Sequence, residues 1–173
     1  MLLALAPPHL AAAANPAPSL QDEHDKLICG DAEVRVTSSC LHFDEQETQC
    51  KKQTLQLTNP AKNIAKKLPH DGKPIRQPFV KNGPVLDAFV TGWACVKSAS
   101  GAPYIYLSYT CVENDRQPEC AGTNREWGRV FGLDGKNLGA GIARRSKELG
   151  RVYRRLGLSE SLEQGIQLQD LKY

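Results

Sequence analysis

Residues 85–96 read VLDAFVTGWACV and residues 104–111 read YIYLSYTC, and the way these two runs pair decides the fold. In the first run the even positions Leu86, Ala88, Val90, Gly92, Ala94 and Val96 are all apolar or small. In the second, Ile105, Leu107, Tyr109 and Cys111 share one face. A period of two with one apolar set is the pattern of a half-buried strand. A two-residue turn at Ser100-Gly101 pairs Val96 with Ile105, Ala94 with Leu107 and Val90 with Cys111. Both apolar sets then land together, as a half-buried antiparallel hairpin requires.

That register assigns a role to each face. The face with Leu86, Val90, Ala94, Ile105 and Leu107 is smooth, and Gly92 allows a helix to come close. The other carries Phe89, Thr91, Trp93, Tyr104, Tyr106, Ser108 and Thr110. Mixed aromatic and hydroxyl character suits a partner site, so Trp93, Tyr104 and Tyr106 are candidate binding residues. The competing expectation is a second core layer, because large aromatics are usually covered.

Upstream, Val34 and Val36 alternate with polar neighbours and open a strand to about Phe43, while Leu55 and Leu57 alternate in another. The polar stretch Asp44 to Glu47 makes these a second hairpin. Residues 59–84 hold Pro60, Pro69, Pro74, Pro78 and Pro84 and read as loop, apart from a short helix over Ala61–Leu68. Downstream, Trp127–Leu133 is a strand ended by Asp134-Gly135. A helix is expected from Ala140 to Leu156, with Ile142, Leu149, Val152, Tyr153 and Leu156 as its apolar stripe and Gly157 as its stop. The resulting fold class is α+β: a mainly antiparallel sheet with one C-terminal amphipathic helix.

The six cysteines, Cys29, Cys40, Cys50, Cys95, Cys111 and Cys120, include no C-x-x-C pair. An even number at wide spacing indicates a disulfide framework in an oxidising compartment rather than a zinc site. Cys40 and Cys50 can face each other across the first hairpin, and Cys111 and Cys120 can close the polar loop between them. Cys95, on the face away from Cys111 in the register above, is left for Cys29. Other connectivities satisfy the spacing as well.

The N-terminus agrees with export. Leu2-Leu3-Ala4-Leu5-Ala6 and then Ala11-Ala12-Ala13-Ala14 resemble the end of a secretory signal, though without its basic start. The expected organisation is a signal-like segment at 1–14, a loose Pro-containing leader at 15–28, a single domain at 29–158 and a tail at 159–173. No stretch reaches the roughly 18 apolar residues of a membrane helix.

Charge is segregated. Residues 21–50 carry eight carboxylates against Lys26 and Arg35, whereas residues 51–81 carry eight cations against Asp71. The net charge of +3 gives no footprint for nucleic acid. On the expected helix, Arg144, Lys147, Arg151, Arg154 and Arg155 crowd the side away from the apolar stripe. They suit an acidic protein, anionic lipid or an anionic wall polymer, or serve as a solvated face whose stems cover the stripe's edges. Arg144, Arg151 and Arg155 are therefore carried forward as candidate partner-binding residues.

The chain offers little chemistry. His24, His42 and His70 fall in no metal-binding spacing, and no metal or cofactor is expected. There is no G-x-S-x-G elbow, and Gly132, Gly135, Gly139 and Gly141 are spaced for turns rather than for a dinucleotide. Glu113 and Asp115 lie in a polar loop with nothing to separate their pKa values. The candidate catalytic centre, were there one, is His70 with Asp71.

Residues 93–138 carry Trp93-x-Cys95, Gly101-x-x-Tyr104, Cys111, Cys120-x-Gly122, Glu126-Trp127, Phe131 and Asp134-Gly135-x-x-Leu138. This resembles a pattern in small secreted bacterial envelope proteins, over about a quarter of the chain. The resemblance implies an envelope protein, of the immunity or inhibitor kind in some cases, and carries over no catalytic residue. The expected function is that of a non-enzymatic periplasmic or secreted binding protein acting on another protein. The alternatives are a small envelope hydrolase or a structural envelope protein.

Overall fold

A computed structural model describes residues 18–43, 48–78, 80, 83–112, 125–141, 146–158 and 168–171. The first sheet is an antiparallel meander of β1 (Ser19–Cys29), β2 (Ala32–His42), β3 (Thr48–Asn59) and β4 (Ile64–Lys67), in the order β1-β2-β3-β4. β5 (Pro74–Ile75) and β6 (Val85–Leu86) form a two-stranded patch between the sheets' sequences. The second sheet contains β7 (Ala88–Lys97), β8 (Pro103–Cys111), β9 (Glu126–Phe131) and β10 (Gln169–Asp170), in the order β10-β7-β8-β9. One helix, α1 (Lys147–Arg155), completes the described elements. The α+β class, dominated by antiparallel strands, is as the sequence indicates.

The main core lies between the sheets. Leu27, Val34, Val36, Leu55 and Leu57 face Val90, Trp93, Ile105, Leu107, Tyr109, Trp127 and Phe131. All are buried, so their apolar area leaves water on folding, at roughly 25 cal/mol per Å². A second cluster forms on the outer face of the second sheet, where Ala94, Val96, Val130 and Leu158 pack with Tyr104, Tyr106, Tyr153 and Leu156. α1 covers that face with Leu149 and Val152 buried, making a third layer.

The central hairpin forms in a different register. Cys95 stands opposite Ile105, Trp93 opposite Leu107 and Val96 opposite Tyr104. The loop has three residues rather than two: Ser98 N–H donates to Ala102 O at 2.9 Å, Gly101 N–H donates to Ser98 O at 2.8 Å, and Gly101 sits at φ +82°. Glycine at the left-handed position is what that loop demands, and the extra residue moves β7 by one relative to β8. Near Thr91 a register shift between Val90 and Gly92 restores the expected parity, so Val90 and Ala88 lie on the main-core face with Tyr109 and Cys111. Ala94 and Val96 therefore turn to the helix side, and Trp93 and Cys95 turn inward.

Two disulfides are seen in full. Cys40–Cys50 joins directly opposed residues of β2 and β3, as expected from the first hairpin. Cys29–Cys95 ties the two sheets together. That pairing is the expected one, but its reason is different: Cys95 shares the inner face with Cys111 and meets Cys29 across the sandwich. Cys111 is also disulfide-bonded, and its expected pairing with Cys120 lies outside the described residues.

Three local expectations are corrected. Most of the stretch read as a loose leader is β1, paired along its whole length with β2. The expected helix over Ala61–Leu68 is a single 3-10 turn, Pro60–Lys62, followed by β4. Asn59 Oδ1 accepts from Lys62 N–H at 3.3 Å, and Asn63 at φ 52° ends the turn and sends the chain back along β3. Part of the tail also belongs to the domain, since Gln169 and Asp170 pair with Trp93 and Gly92, and Leu171 is buried.

α1 is shorter than the expected 140–156. Residues 138–141 form turns, with Gly141 at φ +78°, and the helix begins only at Lys147. Its end matches expectation. Gly157 N–H donates to Arg154 O at 3.0 Å and Leu158 N–H to Tyr153 O at 2.9 Å, the paired C-terminal bonds that glycine at φ +68° permits.

Candidate protein-binding surface

The aromatic face expected to meet a partner is largely occupied within the fold. Trp93 is 2% exposed and packs in the main core, a consequence of the one-residue shift in the hairpin. It is corrected from a surface contact to a core residue. Tyr104 and Tyr106 remain on the other face, half-buried beneath α1. Tyr106 lies over Gly128 so closely that a Cβ there would stand 2.2 Å from its hydroxyl oxygen. Tyr153 Oη donates to Gly128 O at 3.1 Å and pins the helix to β9. Burial pushes both phenols, Tyr106 and Tyr153, above their ordinary pKa. The helix was expected over Val90, Ala94, Ile105 and Leu107; it does lie over Ala94, with Val96, but the shifted register sets these beside Tyr104 and Tyr106 of β8 and turns Ile105 and Leu107 to the main core.

The cationic side of α1 is open. Lys147, Arg151, Arg154 and Arg155 are exposed, while Leu149 and Val152 point inward. Residues at i, i+4, i+7 and i+8 share one side of a helix, so the four make a continuous stripe. Among the described residues none of the four is in an ion pair. Arg144 lies outside the described residues. The helix is held by its C-terminal bonds, by Tyr153 and by Ala99 N–H, which donates to Gly157 O at 2.9 Å. The stripe is thus presented on a fixed support.

His70 and Asp71 sit in a half-buried polar cluster that links the two sheets. Gly72 N–H donates to His70 Nδ1 at 3.0 Å, which places the ring proton on Nε2, and Nε2 donates to Gln53 Oε1 at 2.9 Å. Burial lowers the His70 pKa and keeps the ring neutral, against the opposing pull of Asp71 and Asp87. Asp71 Oδ2 accepts from Trp127 Nε1 at 2.9 Å and Arg129 Nε at 2.8 Å. The His70 ring meets Tyr109 edge-on at 5.4 Å, and Tyr109 stacks on Trp127 at 5.5 Å. Gly72 is needed here, because a Cβ would stand 2.0 Å from Ala88 O. Both imidazole nitrogens are engaged by the protein, so the arrangement holds the loop in place rather than presenting a base.

Sequence reading named His70 and Asp71 but missed their partners Gln53 and Arg129. The missed signal was Gln53, a polar residue at the same inward parity as Leu55 and Leu57.

Among the described residues no group of three or more His, Cys, Asp or Glu side chains is placed to hold a metal ion. No helix among them is long and apolar enough to cross a membrane. The fold and surface define a small disulfide-bonded β-sandwich that carries a cationic helix on one outer face. Comparison with protein-family models, curated proteins and solved structures gives no match.

Proposed function

We propose that this chain is an exported, non-enzymatic binding protein that docks an acidic protein through the outer face of α1. The carrying observation is the stripe of Lys147, Arg151, Arg154 and Arg155, exposed and outside any ion pair among the described residues. Four like charges held on one side of a fixed helix repel each other mildly, and an acidic partner relieves that repulsion. A preorganised domain also loses little ordering entropy on docking. The signal-like N-terminus and the disulfides support a periplasmic or secreted location. An inhibitor or immunity protein fits this description.

The alternative reading, an envelope enzyme centred on His70 and Asp71, has less support, since both side chains are engaged in holding the loop.

The test is parallel capture from an envelope extract with the native chain and with Arg151→Glu/Arg154→Glu/Arg155→Glu. The proposal expects an acidic protein retained by the native chain, released by salt, and lost from the folded variant. Equal retention by both would overturn the assignment of the helix face.

A further inference from the structure

We infer that β1 is a self-complementary edge through which two copies of this chain pair antiparallel into one continuous eight-stranded sheet. β1 ends its sheet, so along all of Ser19–Cys29 it has a neighbour on one side only among the described strands. An open edge of this length is a template for another strand. The side chains on its solvent face name the strand that fits.

That face reads Leu20, Asp22, His24, Lys26, Ile28, and all five are exposed. Leu20 at 54% and Ile28 at 57% are the two most exposed large hydrophobic residues described. His24 is the midpoint of β1. Antiparallel pairing about a two-fold axis at His24 sets Leu20 opposite Ile28 of the second copy and Asp22 opposite its Lys26. Each contact occurs twice by symmetry. Opposite charges and apolar pairs directly across strands are the stabilising combinations.

The charges are not already satisfied within the sheet. On the β2 side Lys26 is opposite Arg35, itself paired to Glu33, and Asp22 is opposite Ser39. The inner face sets Glu23 opposite Asp25 of the second copy, and these like-charge pairs keep the association weak. A strand edge also buries less than a standard stable interface, so the equilibrium depends on concentration. α1 lies on the other sheet and stays open in such a dimer.

The experiment is sedimentation of the full oxidised chain over a concentration series, with Asp22→Lys and Lys26→Asp made separately. The native chain is expected to show a monomer–dimer equilibrium. Each variant is expected to stay monomeric, because position 22 then meets a like charge at position 26. An equimolar mixture of the two variants is expected to regain the dimer, since lysines in one copy face aspartates in the other, and that recovery also shows both variants to be folded. Glu23→Lys should tighten the native dimer. A native chain that stays monomeric, variants that dimerise like it, or a mixture that does not recover would each overturn the inference.

Discussion

Gln53 Oε1 accepts the Nε2 proton of His70 at 2.9 Å and the backbone N–H of Val90 at 2.7 Å. The same amide donates to Val90 O and to Ser38 Oγ, both at 3.0 Å. One side chain of the first sheet therefore satisfies a β7 residue beside its register shift and fixes the protonation of an imidazole. Protonating His70 would turn Nδ1 into a donor facing the Gly72 N–H.

A pH dependence follows from the depressed His70 pKa. Above about pH 6.5 the ring is neutral in both folded and unfolded chains. Below that value the unfolded chain takes up a proton that the folded one refuses. Stability therefore falls with acid, by up to about 1.4 kcal/mol per pH unit, until the folded pKa is reached. Urea unfolding from pH 7.5 to 5 is expected to show this slope in the native chain and to lose it in His70→Gln. His70→Ala should cost about 2 kcal/mol, through the lost bonds to Gln53 and Gly72, and leave partner binding unchanged while the chain is folded.

Asp71 is predicted to matter through Arg129, which is 5% exposed. Asp71→Ala leaves a buried guanidinium with one carboxylate fewer and should cost roughly 3 kcal/mol. Trp127 donates to the same oxygen, so its emission is expected to shift in the folded variant. Thermal melts with fluorescence detection would check both.

The two visible disulfides should differ in worth. Cys29–Cys95 spans 66 residues and Cys40–Cys50 spans 10. On the loop-entropy model their removal costs roughly 4 and about 3 kcal/mol respectively. Serine pairs at each site are expected to rank in that order in denaturant midpoints. The inter-sheet pair should also lower hydrogen-exchange protection in both sheets.

Gly150 lies inside α1, and a Cβ there would meet nothing closer than the Arg154 side chain at 3.7 Å. Gly150→Ala is therefore expected to stabilise the protein by about 1 kcal/mol, because glycine is a poor helix former. A small rise in melting temperature with unchanged partner binding would be the signature.

The sequence made β2, β3, β7, β8 and β9 legible but not the register of the central hairpin. Alternation in 104–111 located the inner face of β8 correctly, since Ile105, Leu107, Tyr109 and Cys111 all point to the main core. It could not distinguish a two-residue turn from the three-residue loop closed by Gly101, and that single residue inverted Trp93. Period two says which residues are alike, while loop geometry says which side they take. The helix stripe was legible because Leu149 and Val152 recur against arginines. The polar cluster was legible only as the neighbours His70 and Asp71, because Gln53 and Arg129 are far from them in the chain and meet them only after the sheets pack. β1 was hidden by its own exposure: both of its faces are polar over Gln21–Lys26, which reads as a leader until β2 pairs with it.

The location we propose for this disulfide-stapled domain is an oxidising compartment outside the cytoplasm. Its most direct test is thiol trapping in intact cells expressing the full chain, with rapid alkylation, fractionation and intact mass before and after reduction. The expected result is a chain in the envelope or secreted fraction that takes up no alkyl group until reduced and six afterwards, one for each cysteine of the sequence. A folded chain that stays in the cytoplasm with its thiols open to alkylation would contradict it.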